Sequence, residues 1–235
     1  MWHAHASAAL ASRAAPLDMV VFDCDGVLVD SERIASRIIA EELTGVGWPL
    51  GPHEVEAHFL GNSLRQMVPV IEQRLGRKLP PGWSEALRLR MLDALTREAT
   101  LVHGALQAIA AVTEFGLKWR IASNSSHEEM TAKFTRTGLT DLVAGRVHSH
   151  RDVGAGKPAP DLYLAAAAAE GIPPAHCLVI ADSPPGVQAA VSAGMQVLAL
   201  VPRGDPLRLH GLGALPIRCL SAVPDLLRAA LRATA

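Results

Sequence analysis

The sequence predicts an α/β fold, a doubly wound parallel sheet with an all-helical segment inserted after its first strand. Three observations carry this. Short apolar runs of strand length fall at residues 19–22, 117–122, 142–148, 177–181 and 196–201. Stretches with helical spacing lie between them, the alternation that builds parallel sheets. From about residue 49 to residue 100 strand-like alternation disappears and only helical segments remain. The 235 residues suffice for one sizeable core and an inserted subdomain, and a content of 49% hydrophobic and 19% charged residues describes a folded globular chain.

Residues 1–17 carry a broken apolar segment and no basic stretch of the kind that opens a secretory signal, and they read as a disordered extension. The core is expected over 18–31 and 101–235, with the helical insertion over 32–100. The first strand stops at Asp23-Cys24-Asp25-Gly26, two aspartates one residue apart followed by a glycine. Ligands of open α/β sheets bind outside the carboxyl ends of strands, so Asp23 and Asp25 stand where chemistry is done. With no basic neighbour in the turn the pair repel one another and need a cation, a shared proton or both. An acidic turn facing water is the plainer alternative. Cys24 alternates to the other side of the strand and is not expected to act as a nucleophile.

Ser31 can cap a helix that runs to about residue 43, with Glu32 in its first turn and Ile34, Ile38, Ile39 and Leu43 at helical spacing. Gly45 and Gly47 end it. Helices follow at 54–60, 64–75 and 83–99, with Pro69 bending the middle one. The core resumes with a helix at 105–115 and the second strand, which ends at Ser123-Asn124-Ser125-Ser126 before a helix at 128–137. That polar cluster offers hydroxyls and backbone N–H groups to an anion, although a capped helix start would look the same. The third strand leads through His148 and His150 to Gly156-Lys157-Pro158. A residue before proline is held extended, so Lys157 can project from its loop, an ordinary surface lysine being the alternative. No third ligand lies near His148-x-His150, and a metal pair is not expected there. After a helix at 162–170 the fourth strand ends at Asp182, placed to join Asp23 and Asp25 around one cation unless it merely caps the next helix. A fifth strand and a helix at 223–233 complete the core.

The string D-C-D-G-V-L-V-D-S-E closely resembles motif I of the haloacid dehalogenase (HAD) superfamily, in particular its phosphatase and β-phosphoglucomutase-like branch. Ser123 resembles the motif II residue, G-K-P-A-P-D with Lys157 resembles motif III, and V-I-A-D-S-P-P-G-V-Q-A-A-V-S-A-G-M with Asp182 resembles motif IV. The motifs occur in family order. The resemblance implies a Rossmann-like, HAD-like core with a C1-type helical cap, and Mg2+ held by Asp23, the backbone carbonyl of Asp25 and Asp182. It implies hydrolysis of a small phosphorylated metabolite, a sugar phosphate being favoured. Asp23 would be the nucleophile that forms an aspartyl-phosphate. Asp25 would be the general acid and base, kept protonated by repulsion from Asp23 and the substrate. Ser123 and Lys157 would hold the phosphoryl group with Asn124 as second contact, and Gly61, Asn62, Ser63 and Arg65 would meet the substrate from the cap.

Mutases of this branch carry a histidine at the place of Ala35 and an arginine directly after the Gly-x-Ser of the cap. Here Leu64 follows Gly61-Asn62-Ser63 and Arg65 comes one place late. Both departures favour hydrolysis over a β-phosphoglucomutase-like isomerase, the nearest alternative, with a catalytically weak HAD-like binding protein further off. Relatives often carry a further acid beside the motif IV aspartate, whereas Ala181 precedes Asp182 and Gly186 follows it. Only one carboxylate faces the metal from that side.

A net charge of -1 supplies no global field for nucleic acid. The three scattered cysteines, Cys24, Cys177 and Cys219, suit reduced thiols in a cytosolic protein. No apolar run approaches the ~18 residues of a membrane span. The expectation is a cytoplasmic enzyme, monomeric by default, whose partner is a small phosphorylated metabolite.

Overall fold

The computed structural model describes residues 2–12, 15–59, 62–205 and 207–232. Its strands are β1 (Met19–Phe22), β2 (Lys118–Ser123), β3 (Val147–Ser149), β4 (Cys177–Ala181), β5 (Gln196–Leu200) and β6 (Leu215–Ile217). They form one parallel sheet in the order β3-β2-β1-β4-β5-β6. Val20, Phe22, Ile121, Ile180 and Leu198 feed the core on one face, while Met19, Val21, Ala122, Val179, Ala181 and Val197 feed the other. Burial on both faces is why β1, β4 and most of β5 read as near-continuous apolar runs.

The helices, in chain order, are α1 (Trp2–Ala11), α2 (Glu32–Val46), α3 (Pro52–Phe59), α4 (Leu64–Leu75), α5 (Trp83–Glu98) and α6 (Ala105–Glu114). Then come α7 (His127–Thr137), α8 (Thr140–Val143), α9 (Asp161–Ala168), α10 (Pro184–Ser192), α11 (Leu207–His210) and α12 (Val223–Arg232). Leu10 of α1, Ile109 of α6 and Leu227 of α12 pack on the first face, and Leu162 and Tyr163 of α9 with Val187 of α10 pack on the second.

Strand order positions the site. The chain steps outward from β1 to β2 and β3, then crosses back to place β4 on the other side of β1. The carboxyl ends of β1 and β4 therefore flank a topological switch point, where open α/β sheets hold their ligands. Asp23 follows β1 and Asp182 follows β4, and Asp23 N–H donates to the Ile180 carbonyl of β4 at 2.8 Å. Helices α2 to α5 are inserted between β1 and α6, with α5 packed against α2 and α7. Ile34, Ile38, Ile39 and Leu43 bury one stripe of α2. Each fully buried side chain of this size stabilises by about 1.5–3 kcal/mol.

Several expectations are corrected. Within residues 1–17, Trp2–Ala11 forms helix α1 rather than a disordered extension, with Ala6 and Leu10 buried against α12 and β6. Ala6 and Leu10 are one turn apart, and an alanine-rich segment has high helix propensity. The expected strand at 142–148 divides into α8, a turn at Gly145 with φ of 71°, and a short edge strand β3. Gly45 lies inside α2, and Gly47, at φ of 99°, ends it. Strand β6 was unanticipated; its Pro216 is tolerated because the strand is at an edge. The cysteines are free thiols, and Cys24 is buried in the core cluster, where burial pushes its thiol far above the usual range. No helix among the described residues is long and apolar enough to cross a membrane.

Candidate active site

The turn after β1 brings the acidic groups together. Gly26 takes φ of 68°, and a Cβ there would lie 1.8 Å from Oδ2 of Asp182. Only glycine tolerates both the left-handed backbone and that close approach.

The two oxygens of Asp23 have different surroundings. Oδ1 accepts the Cys24 N–H at 2.8 Å and lies 2.7 Å from Nζ of Lys157. Oδ2 has no hydrogen bond among the described residues. Lys157, 7% exposed, also donates to the Ala122 carbonyl at 2.8 Å, and its ammonium sits 4.8 Å from the centre of the Tyr163 ring. Burial raises the Asp23 carboxyl, the charge of Lys157 pulls it down, and Asp25 raises it further, leaving it above its ordinary value. Asn124 was expected to touch substrate. It lines the cleft, and both ends of its amide also hold the lysine loop, Nδ2 donating to the Lys157 carbonyl at 3.1 Å and Oδ1 accepting the Lys157 N–H at 2.9 Å.

Asp25 is not as expected. Ser31 Oγ donates to its Oδ1 at 2.5 Å, and Ser123 and Ser125 each donate to its Oδ2 at 2.9 Å. The ammonium of Lys133 donates to Oδ1 as well, and to Ser125 Oγ at 2.6 Å. Burial alone would raise this carboxyl, but the Lys133 charge and the hydrogen bonds outweigh it and hold Asp25 well below the usual carboxylate range. These contacts favour the carboxylate form of Asp25, against the expectation that repulsion from Asp23 keeps a proton on it. Lys133 is 2% exposed and escaped the sequence reading. A signal existed. Lys133 lies on the buried face of α7 with Met130 and Phe134, an apolar stripe where a lysine needs a partner.

Ser123 is fully buried with its hydroxyl spent on Asp25. Ser125 and Ser126 line the open cleft, and Ser126 caps α7 by accepting the Glu129 N–H at 3.3 Å. The cleft measures about 910 Å³ and is lined by Asp23, Asp25, Glu32, Lys133, Lys157 and Asp182, among others. Asn62, Ser63 and Arg65 reach it from the insertion. Ser63 Oγ donates to Gln66 Oε1 at 2.8 Å at the start of α4, while Arg65 is exposed. Gly61 lies outside the described residues. Arg88 of α5 bridges to Glu128 of α7 at 2.9 Å on the cleft wall. His148 turns away toward Arg120, at 3.2 Å, whereas His150 lines the cleft.

Against the four carboxylates of Asp23, Asp25, Glu32 and Asp182 stand two ammonium groups, those of Lys133 and Lys157. Asp182 is raised well above its ordinary value by burial, then by the charges of Asp23 and Glu32. This surplus of negative charge fits a divalent cation. No group of three His, Cys, Asp or Glu side chains among the described residues makes a cage by itself. The donor set thus suits a hard ion that retains several waters rather than an all-protein cage.

Carboxylates and lysines gathered at the switch point of a doubly wound sheet define a phosphoryl-handling class of hydrolase site. Residues 17–194 match the haloacid dehalogenase-like hydrolase family, and the chain belongs to it. It is 34% identical over 199 residues to the "Probable pseudouridine-5'-phosphatase" of Drosophila melanogaster, covering 79% of this chain and 81% of that one. It is 29% identical over 182 residues to the 6-phosphogluconate phosphatase of Escherichia coli, covering 77% and 81%. A HAD family hydrolase from Deinococcus radiodurans, solved with bound phosphate and sodium, superposes with a TM-score of 0.75 at 34% identity, covering 94% of this chain and 97% of that one.

Proposed function

We propose that the chain is a Mg2+-dependent phosphatase that hydrolyses a small phosphorylated metabolite, a sugar phosphate being favoured, through an aspartyl-phosphate on Asp23. The observation that carries this reading is the asymmetry of Asp23, with Oδ1 pinned by Lys157 and Cys24 and Oδ2 without a hydrogen bond among the described residues. The phosphatase names of the relatives support it. Asp23, Asp182 and the Asp25 carbonyl would hold Mg2+, whose charge offsets the repulsion between a carboxylate nucleophile and a phosphate dianion.

In this reading Oδ2 of Asp23 attacks phosphorus in line and the alcohol departs, splitting one difficult displacement into two. The Lys157 ammonium and the backbone N–H groups that open α7 face the charge spread over the phosphoryl oxygens. Water then attacks the aspartyl-phosphate, and Asp25, already a carboxylate, takes its proton. The leaving oxygen of the first step takes its proton from Asp25, which gains one as the anionic phosphate binds, against the pull of Lys133; that donation leaves the carboxylate that accepts the water's proton. Helices α2 to α5 serve as the cap that selects the leaving group.

The test is release of phosphate from an aryl phosphate with Mg2+ and with EDTA. Asp23→Asn is expected to reduce release by at least about 10³-fold while leaving the fold intact, as loss of a covalent nucleophile does. Substantial residual turnover in a folded Asp23→Asn protein sinks the reading. Incubation with β-glucose 1-phosphate separates the mutase alternative, since free phosphate rather than glucose 6-phosphate is expected.

A further inference from the structure

Lys157 is fixed at both ends by groups that carry no charge. Its peptide is clamped by the Asn124 amide, and its ammonium donates to the Ala122 carbonyl at 2.8 Å. Its charged partner is Asp23 Oδ1, 2.7 Å away. The ammonium also lies over the ring of Tyr163, whose centre is 4.8 Å from Nζ. Tyr163 stands on α9, and its side chain is fully buried. Its hydroxyl finds no hydrogen-bond partner among the described residues. A buried tyrosine ordinarily pairs its hydroxyl, so here the ring rather than the hydroxyl accounts for the residue. The face of an aromatic ring carries partial negative charge and attracts an ammonium most strongly where water is excluded. Lys157 is itself buried, so solvent does little to weaken that attraction. Attack by Oδ2 on phosphorus turns the Asp23 carboxylate into an acyl phosphate and leaves Oδ1 an uncharged carbonyl oxygen. Lys157 then loses its carboxylate partner, while the Ala122 carbonyl and the ring are unchanged.

We propose that the Tyr163 ring is the neutral seat of the Lys157 ammonium, holding the cation toward the phosphoryl oxygens while Asp23 is esterified. This rests on the aspartyl-phosphate reading of the site. Tyr163 is a positioning residue, acting through Lys157. Simple filling of the core is the competing account, and the electronics of the ring separate the two.

The experiment measures phosphate release from an aryl phosphate by the full chain carrying Tyr163→Phe, Tyr163→Leu or a ring-fluorinated phenylalanine in place of Tyr163. Fluorination drains the negative face of the ring and nearly keeps its shape. The conservative variant Tyr163→Phe keeps the ring and is expected to rescue turnover to within about twofold of the wild type. Tyr163→Leu is expected to lower kcat by about 10-fold, more than it changes KM, and the fluorinated ring is expected to fall with leucine rather than with phenylalanine. A fluorinated protein as active as Tyr163→Phe overturns the proposal, as does a loss in Tyr163→Phe equal to that in Tyr163→Leu. Should Tyr163→Leu fail to fold, phenylalanine against its fluorinated form decides alone. The contact is also read without turnover, by urea denaturation. Fluorination is expected to cost more stability beside Lys157 than in a Lys157→Met background, where no ammonium faces the ring. Equal costs in the two backgrounds overturn the proposal, whereas a cost that depends on Lys157 in a chain that releases no phosphate removes only the phosphatase reading.

Discussion

Lys133 and Asp25 form an ion pair in which the lysine is 2% exposed, and removing one member of such a pair leaves the other uncompensated. Lys133→Met is therefore expected to lower unfolding free energy by about 3–5 kcal/mol, measured by urea denaturation. A loss below 1 kcal/mol would mean that Asp25 is satisfied by its serines alone. The pair also fixes a pH dependence. The folded pKa of Asp25 is depressed, so its stabilisation is present above the ordinary carboxylate value and is lost only as strong acid protonates it. Glu32 behaves oppositely. Burial and then the charge of Asp25 push it up to about 7, so the stability linked to its proton is present below the unfolded value of about 4.3 and lost as pH rises through 7. Metal-free wild type should lose stability between pH 5 and pH 8, and Glu32→Gln should reduce that slope without abolishing it, since Asp23 and Asp182 are raised too. Equal unfolding free energies at pH 5 and pH 8 in urea titrations of the wild type would contradict this. The aspartates and Lys157 were legible because each ends a strand or precedes a proline. Lys133 was not, because a lysine on a helix is ordinarily assigned to the solvated face, and Ser31 read as a helix cap although its hydroxyl goes to Asp25.

The β1 turn is the element on which the site depends most. Gly26→Ala asks a Cβ to share space with the Asp182 carboxylate and places an L residue in the left-handed region. The backbone term costs roughly 1–2 kcal/mol. The displaced carboxylate is expected to cost more in function than in stability, about 10²-fold in phosphate release for a shift near 1 Å. Activity within a few-fold of wild type, with thermal unfolding unchanged, would show that Asp182 can move without consequence. Elements wholly enclosed by the sheet, β1 and β4, were legible to the residue, since burial on both faces leaves continuous apolar runs. The run at 142–148 was not, because periodicity cannot separate a short apolar strand from a helix that gives way to one. Helix α1 was invisible for another reason: the partners that bury Ala6 and Leu10, α12 and β6, come from the far end of the chain.

At the scale of the whole molecule, strand order and insertion act together to concentrate charge. The crossover back to β4 brings Asp182 to the end of the sheet beside Asp23, and α2 adds Glu32 to the same cleft, so that four carboxylates face the two buried lysines there. Burial and then mutual repulsion raise the Asp23, Glu32 and Asp182 carboxyls, and a divalent cation held among them is expected to stabilise the fold. A ligand that binds only the folded chain stabilises it by about 2.7 kcal/mol when present at a hundredfold excess over its Kd. For a chain of this length each kcal/mol moves Tm by about 2–4 °C, so Mg2+ at that excess should raise Tm by about 5–11 °C at pH 8. The same addition at pH 5 should do much less, because Asp23, Glu32 and Asp182 all have raised pKa values and compete for protons there. EDTA should reverse the rise at pH 8, and Na+ at matched ionic strength should not reproduce it. A Tm indifferent to Mg2+ at pH 8 would mean that the surplus charge is balanced by protons instead, and that the crevice holds its carboxylates neutral until substrate arrives.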